Sequence, residues 1–400
     1  MAQFPDRRSL LPAAALLLLP LGLASCNANR FPSYPPGYRE FAYVTDGASD
    51  TVAVLDLVYL RQDRVLQVGH DPMGLAVNTH RNEVYAVNTG GDSVSVIDAE
   101  KNEVAATIGV HRTPHFIDVD PNGKRAYVAN SGSNTVSVLD LEKRREIAVA
   151  ATGEQPWQAR VAPDNRTLVV SNHAAGSVSV YSIGEPGQQP LQLRNAFAGC
   201  AGATDVVILP DSSKAFIACT DAHRVMAIWL GAAPTSWRGQ QDASLQHDQM
   251  LALLDVGQSP TYLALKPDGG EVFSVNRDSD SISEISTWTN EVSGTYIIGS
   301  KPTRAVISID DSSLWVTNSG ADSATLYSID DGRLVTGVRT GASPAAIAFS
   351  RDEHLLLVAD TGSGDVALLR MQSRNGPGLV TLLPAGKHPN DMAVAWFTVK

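Results

Sequence analysis

The sequence predicts an all-β fold, a β-propeller of eight four-stranded antiparallel blades, closed into a ring by a blade shared between the N- and C-terminal ends. Three observations carry this. A unit of about 42 residues repeats from residue 41 onward, each unit holds four short runs of strand-like alternation, and the first and last units are complementary fragments.

Each unit opens on a proline, at Pro72, Pro114, Pro156, Pro260, Pro302, Pro344 and Pro389, with Ala203 in that place in one unit. Successive intervals are 42, 42, 47, 57, 42, 42 and 45 residues. The proline leads into a short apolar strand, a turn rich in Asp, Asn and Gly, and a second strand. That second strand recurs eight times, as FAYVTD (41–46), VYAVNT, AYVANS, LVVSNH, AFIACT, VFSVNR, LWVTNS and LLVADT (356–361). A polar loop, an alternating run such as VSVLD and a final strand complete the unit. Period two sends alternate side chains to opposite faces of a strand, and PNG and PDG are turn sequences because Asn, Asp and Gly tolerate left-handed backbone. The first unit, 41–68, lacks a proline strand, and GKHPNDMAVAWF (386–397) supplies one. Joined, the two make one blade and remove the open sheet edges of a linear array. Two separate landmarks thus count eight blades, with seven as the alternative.

Residues 1–25 read as a lipoprotein signal peptide: Arg7 and Arg8, then an apolar stretch broken by Pro12 and Pro20, ending Leu23-Ala24-Ser25-Cys26. The ending resembles a bacterial lipobox, which implies cleavage before Cys26 and its acylation. A membrane, held through lipid on Cys26, is therefore the first expected partner. The Arg7-Arg8 pair also resembles a twin-arginine signal, so Sec and Tat export both stay open. Asn27 rather than Asp follows the cysteine, which in a Gram-negative envelope points to the outer membrane, facing the periplasm or the surface. Residues 26–40, with three prolines and no alternation, read as a tether, and 41–400 as the propeller. Residues 41–400 contain no apolar run long enough to span a bilayer.

The strings FAYVTD (41–46), AYVAN (126–130) and TVSVLDL (135–141) resemble the YVTN β-propeller repeat family of bacterial envelope and surface-layer-type propellers, and the likeness spans 41–400. Members are commonly seven-bladed, so a count of eight departs from the pattern. The resemblance implies repeat-based binding more than any one activity.

Chemistry is sought where the repeat breaks. A net charge of −11 argues against a nucleic-acid partner. The sequence holds no CxxCH, GxSxG, HExxH or GxxxxGK[ST], so no cofactor is expected and no metal site is assigned. Asp46, Asn88, Asn130, Asn172, Asn276, Asn318 and Asp360 end the second strands, and Asp50, Asp92, Asn134, Asp280 and Asp322 follow four residues later. They could form a ring of oxygen ligands, but repetition in nearly every blade favours side chains that bond the local backbone.

The face that carries the starting prolines and the loops after the second strands also carries the residues that break symmetry. These are His70, His111, His115, Trp157, His173, His223, Arg277, Arg304, His388 and Asp391, a candidate ligand rim. Two functions fit. One is a lipid-anchored binding or interaction scaffold for an unknown protein, glycan or small ligand. The alternative is a lactonase-like hydrolase with its site at the mouth of the central channel, built from His70, His115, Arg304, His388 and Asp391. Cys200 and Cys219 fall in the unit without a proline and are candidates for a disulfide. The insertion 231–250, with Trp237, Arg238 and His247, lies between third and fourth strands and should open on the opposite face.

Overall fold

A computed structural model describes residues 32–399 except 186, 232–245 and 372–375. The described strands form eight sheets of four antiparallel strands. In seven of them the strands lie in chain order. The eighth combines Pro389–Thr398 with Tyr38–Asp46, Thr51–Asp56 and Arg61–Gln67. The blades are numbered here from that of Pro72–Asn78 (blade 1) to the shared one (blade 8). The first strands of blades 2 to 7 are Pro114–Val119, Pro156–Val161, Ala203–Ile208, Pro260–Leu265, Pro302–Ile307 and Pro344–Phe349. Each touches the first strands of its two neighbours, and the circle closes between Pro389–Thr398 and Pro72–Asn78. First strands therefore line the axis. The molecule is an eight-bladed β-propeller.

Burial follows this radial order. Second and third strands are buried along almost their whole length, as in Glu83–Asn88 and Ser93–Asp98, because sheets pack on both faces. Outermost strands such as Arg145–Ala151 alternate exposed with partly buried residues. The spaces between blades are filled by small and branched side chains; between blades 1 and 2, Tyr85, Val87 and Val96 meet Ile117, Val128 and Leu139.

The Asn and Asp that end the second strands are buried. Asn130, Asn172 and Asn276 donate to hydroxyls of the following strand, whereas Asn88, Asp46 and Asp360 accept backbone N–H groups. Asn88 Oδ1 accepts the Gly69 N–H at 3.1 Å, and Asp46 accepts the N–H groups of Lys387 and His388. The residues four positions later lie in the left-handed region, with φ of 58° at Asp50 and 48° at Asp92. Each accepts a backbone N–H from the loop leading to the next blade: Asp71 to Asp50, Thr113 to Asp92, Gln155 to Asn134, Lys301 to Asp280 and Ser343 to Asp322. The second set thus ties loops to blades, as do Asp46, Asn88 and Asp360 of the first. Among the described residues no three His, Cys, Asp or Glu side chains gather as a metal site would require.

Two details differ from the expectation. Strand pairing begins at Tyr38, inside the stretch read as tether, because Tyr38 pairs with Thr398. Tyr34 is also held, its hydroxyl donating to Asp352 Oδ2 at 3.2 Å and its ring stacked on Tyr38. Of the insertion, Trp237 and Arg238 lie outside the described residues, while His247 falls within them.

In blade 4 the fully buried sulfurs of Cys200 and Cys219 are bonded, with Cα atoms 4.7 Å apart. Cys219 pairs in register with Ala203, and the turn at Gly202, at φ +65°, folds Cys200 back onto it. The link spans a sequence separation of 19 residues, and closing a loop of that size restricts the unfolded chain by about 3 kcal/mol. Replacing both cysteines by serine should cost about that much in urea unfolding. Alkylation of the untreated protein should find neither thiol; ready modification of both would contradict the link.

Candidate ligand site at the channel mouth

In five of the eight blades the starting proline pairs with the residue ending the second strand, after which one extra residue on the first strand has no partner, as between Pro72 and Gly74 or Pro260 and Tyr262. In blades 4, 6 and 8 the interruption is longer, two residues of the first strand standing against one of the second. A bulge of this kind re-aims side chains. Here it delivers Met73, His115, Trp157, Thr261, Thr303 and Asn390, each one residue past the proline, to the lining of an axial cavity of about 550 Å³. Farther down the strands the same cavity is lined by Gln158, Asp205, Tyr262, Arg304 and Asp391, and then by Asp118 and Arg160.

Two guanidinium groups organise it. Arg304 Nη1 donates to Asp391 Oδ1 at 2.5 Å, and its guanidinium lies 5.7 Å from the centre of the Tyr262 ring. Arg160 sits 4.7 Å above the Phe116 ring, with Asp118 Oδ1 at 3.5 Å and the Val206 carbonyl at 3.4 Å from Nε. Each carboxylate also belts one blade to the next. Leu75 N–H donates to Asp391 Oδ2, Val161 N–H to Asp118 Oδ2 and Leu263 N–H to Asp205 Oδ2, while Gln158 Oε1 takes the Val206 N–H. The ring of polar side chains is therefore preorganised by the scaffold that it also staples.

These groups line the channel and are ringed by protein, so their charged forms lose solvation. Burial raises Asp118 above the usual carboxylate range against the pull of Arg160, and raises Asp205 against Arg160 and Arg304. Burial likewise raises the Tyr262 phenol. Asp391 holds the Arg304 proton more firmly. His115 is lowered to about 4, first by burial, with the positive charge of Arg304 adding and a bond to the Trp157 backbone opposing. Its imidazole is neutral at physiological pH. In an NMR titration the His115 ring signals should stay still between pH 5 and 8; a midpoint near 6.5 would show that the pocket does not desolvate it.

The ten rim candidates divide. His115 and Trp157 are in contact, with ring centres 3.8 Å apart, and His173 lies 5.4 Å beyond Trp157. Arg304 and Asp391 share the same cavity with His115 and Trp157. His173 also borders an open groove of about 650 Å³ between blades 3 and 4, walled by Gln155, Gly176, Gly199, Ala201, Gly202 and Asp221, so groove and channel adjoin at Trp157. The other five lie outside the channel. His70 pairs with Asp50 at 2.9 Å on the surface, His111 reaches Glu146 at 3.5 Å, and Arg277 is exposed on a short turn. His388 bonds Asn390 Oδ1. His223 occupies the place that Asp or Asn holds in five other blades, and its Nδ1 accepts the Ser259 N–H at 3.1 Å, so it is a loop staple. Of the hydrolase set, His115, Arg304 and Asp391 meet, whereas His70 and His388 do not.

Sequence reasoning missed Asp118, Arg160, Asp205 and Tyr262. The available signal was an ionisable residue inside an otherwise apolar five- or six-residue strand, as in PHFIDV and ATDVVI.

Residues 68–259 match the profile of a family described as YNCE-like beta-propeller, and residues 280–394 that of a family described as lactonase, 7-bladed beta-propeller. No curated protein matches the sequence. Among solved structures, dihydro-heme d1 dehydrogenase NirN in complex with DHE is similar at a TM-score of 0.71 and 15% identity, over 91% of this chain and 76% of that one. A putative 6-phosphogluconolactonase from Bacteroides fragilis gives 0.60 and 15%, over 91% and 100%. A functionally unknown protein from Desulfotomaculum acetoxidans gives 0.57 and 12%, over 89% and 98%. At these identities the likeness is one of fold.

Proposed function

We propose that this protein is a lipid-anchored, extracytoplasmic binding propeller built of YVTN-type repeats, and that it takes a small polar ligand at the mouth of its axial channel. The observation that carries the reading is the concentration of symmetry-breaking residues in one cavity: a neutral imidazole against an indole, two arginines and three aspartates, all on first strands. An indole face with ring-edge donors and paired guanidinium and carboxylate groups suits a polyhydroxylated ligand such as a glycan fragment. Sugar rings stack on indole, and charged groups form strong directional bonds with hydroxyls. Acylation of Cys26 would hold the protein at the envelope membrane.

A second reading, hydrolysis of a lactone at the same mouth, is supported by the lactonase-type match over 280–394, a stretch that includes Arg304 and Asp391. In that reading Arg304 would stabilise the oxyanion and Asp205, with its raised proton affinity, would handle the proton.

One experiment addresses both. Protein purified from membranes, with the variants Arg304→Gln and Trp157→Ala, is screened by native mass spectrometry against oligosaccharide and lactone panels. Binding of intact sugar that each variant weakens at least tenfold supports the scaffold. Conversion of a lactone that Arg304→Gln abolishes supports the hydrolase. Equal ligand retention by all three proteins would remove the channel mouth from either role.

A further inference from the structure

First strands run from the face of the starting prolines to the opposite face, so the loops joining first to second strands and third to fourth strands share that opposite face. The chain enters the propeller there. Tyr38 pairs with Thr398 at the end of the last first strand, and Val399 N–H donates to the Gly37 carbonyl at 2.9 Å. Tyr34 bonds Asp352 and His354, in the loop between the first and second strands of blade 7. Residues 34–38 are thus pinned to the face away from the channel mouth.

Six residues separate Pro32 from Cys26, and a fully extended chain of that length reaches about 20 Å. Presenting the other face to a membrane at Cys26 demands more. The chain would cross two strand spacings of about 4.8 Å each to the rim, then the depth of a six-residue strand at about 3.3 Å per residue, roughly 30 Å in all. The entry face also exposes large side chains: Tyr59 is 69% accessible, Trp288 63% and Ile309 76%. Aromatic rings with a polar edge favour the headgroup level of a bilayer. Asp310 and Asp311 follow Ile309, which fits a headgroup layer of low negative charge.

We infer that the propeller lies with this entry face on the lipid headgroups and its channel mouth turned away from the bilayer, so that the ligand reaches the site from the aqueous side. The inference rests on the acylation of Cys26 proposed above. It excludes a membrane lipid of the same bilayer as the ligand, since the mouth and the groove beside blade 4 open on the far side.

The test uses full-length acylated protein in phosphatidylcholine vesicles that carry a headgroup-bound nitroxide quencher. With Cys26 acylated and Cys200 bonded to Cys219, an introduced cysteine is the only free thiol for a fluorophore. Asp330→Cys places the dye in an entry-face loop of blade 6, and Ala321→Cys places it in a mouth-face loop of the same blade; both positions are exposed. The expected result is quenching several-fold stronger at 330 than at 321, with both proteins co-floating. Equal quenching, or stronger quenching at 321, in co-floating protein overturns the orientation while leaving the anchor intact. Failure of the acylated-chain preparation to co-float, matching Cys26→Ser, overturns the anchor and the orientation with it.

Discussion

Deletion of residues 386–400 is expected to abolish the cooperative unfolding transition. The lost segment is the axial strand of blade 8, paired with the N-terminal strand from Tyr38–Thr398 through Asp46–Pro389. Met392 packs between blades 7 and 8 against Ala346 and Leu357, and Phe397 packs between blades 8 and 1 against Phe41 and Val84. Two large side chains buried this way contribute about 1.5–3 kcal/mol each. Their loss comes with the bonds of Asp391 to Leu75 and Arg304, and of Asp46 to the Lys387 and His388 amides. The Tyr38–Asp46 strand would also become an unpaired edge lining an open gap. Against a total stability of about 5–15 kcal/mol, that sum removes most of the margin. Calorimetry and limited proteolysis read the outcome, and a synthetic peptide of 386–400 added in trans should restore the transition. A truncated protein that melts as sharply as the full chain would mean that the ring does not depend on its closing strand.

The ring was legible because repetition averages out local ambiguity. Eight prolines or substitutes and eight second strands report one period, and the missing strand at one end matches the surplus at the other. The site was legible only in part, and the reason lies at the proline. Residues before it, among them His70, His111 and His388, belong to a loop whose backbone is held by the Asp and Asn staples, and their side chains turn to the outer surface. Residues one or two positions after it, His115, Trp157, Arg304 and Asp391, pass through the bulge and face the axis. Pooling both groups as one rim put two histidines into the hydrolase set that the fold keeps outside the channel. His223 misled for a different reason: an imidazole nitrogen can replace a carboxylate oxygen as the acceptor for a loop amide, so a break in the repeat was a substitution of like function. Asp118 and Asp205 escaped notice because period-two reasoning treats a polar residue in a short strand as solvent-facing, whereas in a ring the inward side of the axial strand is a cavity.

The substitution Asp360→Asn is expected to stabilise the protein above neutral pH and to leave it unchanged in acid. Asn stands at the equivalent position in blades 1, 2, 3, 5 and 6; in the first four its amide donates to hydroxyls five and seven residues on, as from Asn88 to Ser93 and Ser95, and in blade 6 Asn318 donates to Thr325, seven residues on. In blade 7 those places hold Asp365 and Ala367, so the fully buried Asp360 meets a second carboxylate instead. Burial raises Asp360 to about 7, with the Asp365 charge adding and the Gly341 N–H opposing. Because the folded form keeps its proton longer than the unfolded form, stability is unaffected below the unfolded value near 4. It then falls as pH rises toward 7 and levels off beyond. A shift of roughly three units at about 1.4 kcal/mol each sets an upper bound near 4 kcal/mol. Asn keeps an oxygen for the Gly341 amide and offers Asp365 a donor, so it should recover about 2–4 kcal/mol at pH 8. Urea unfolding of both proteins from pH 4 to 9 isolates the effect, since other titrating groups such as His115 contribute equally to each and cancel in the difference. A difference that stays constant across that range, or never appears, would show that Asp360 is ionised in the fold at no cost.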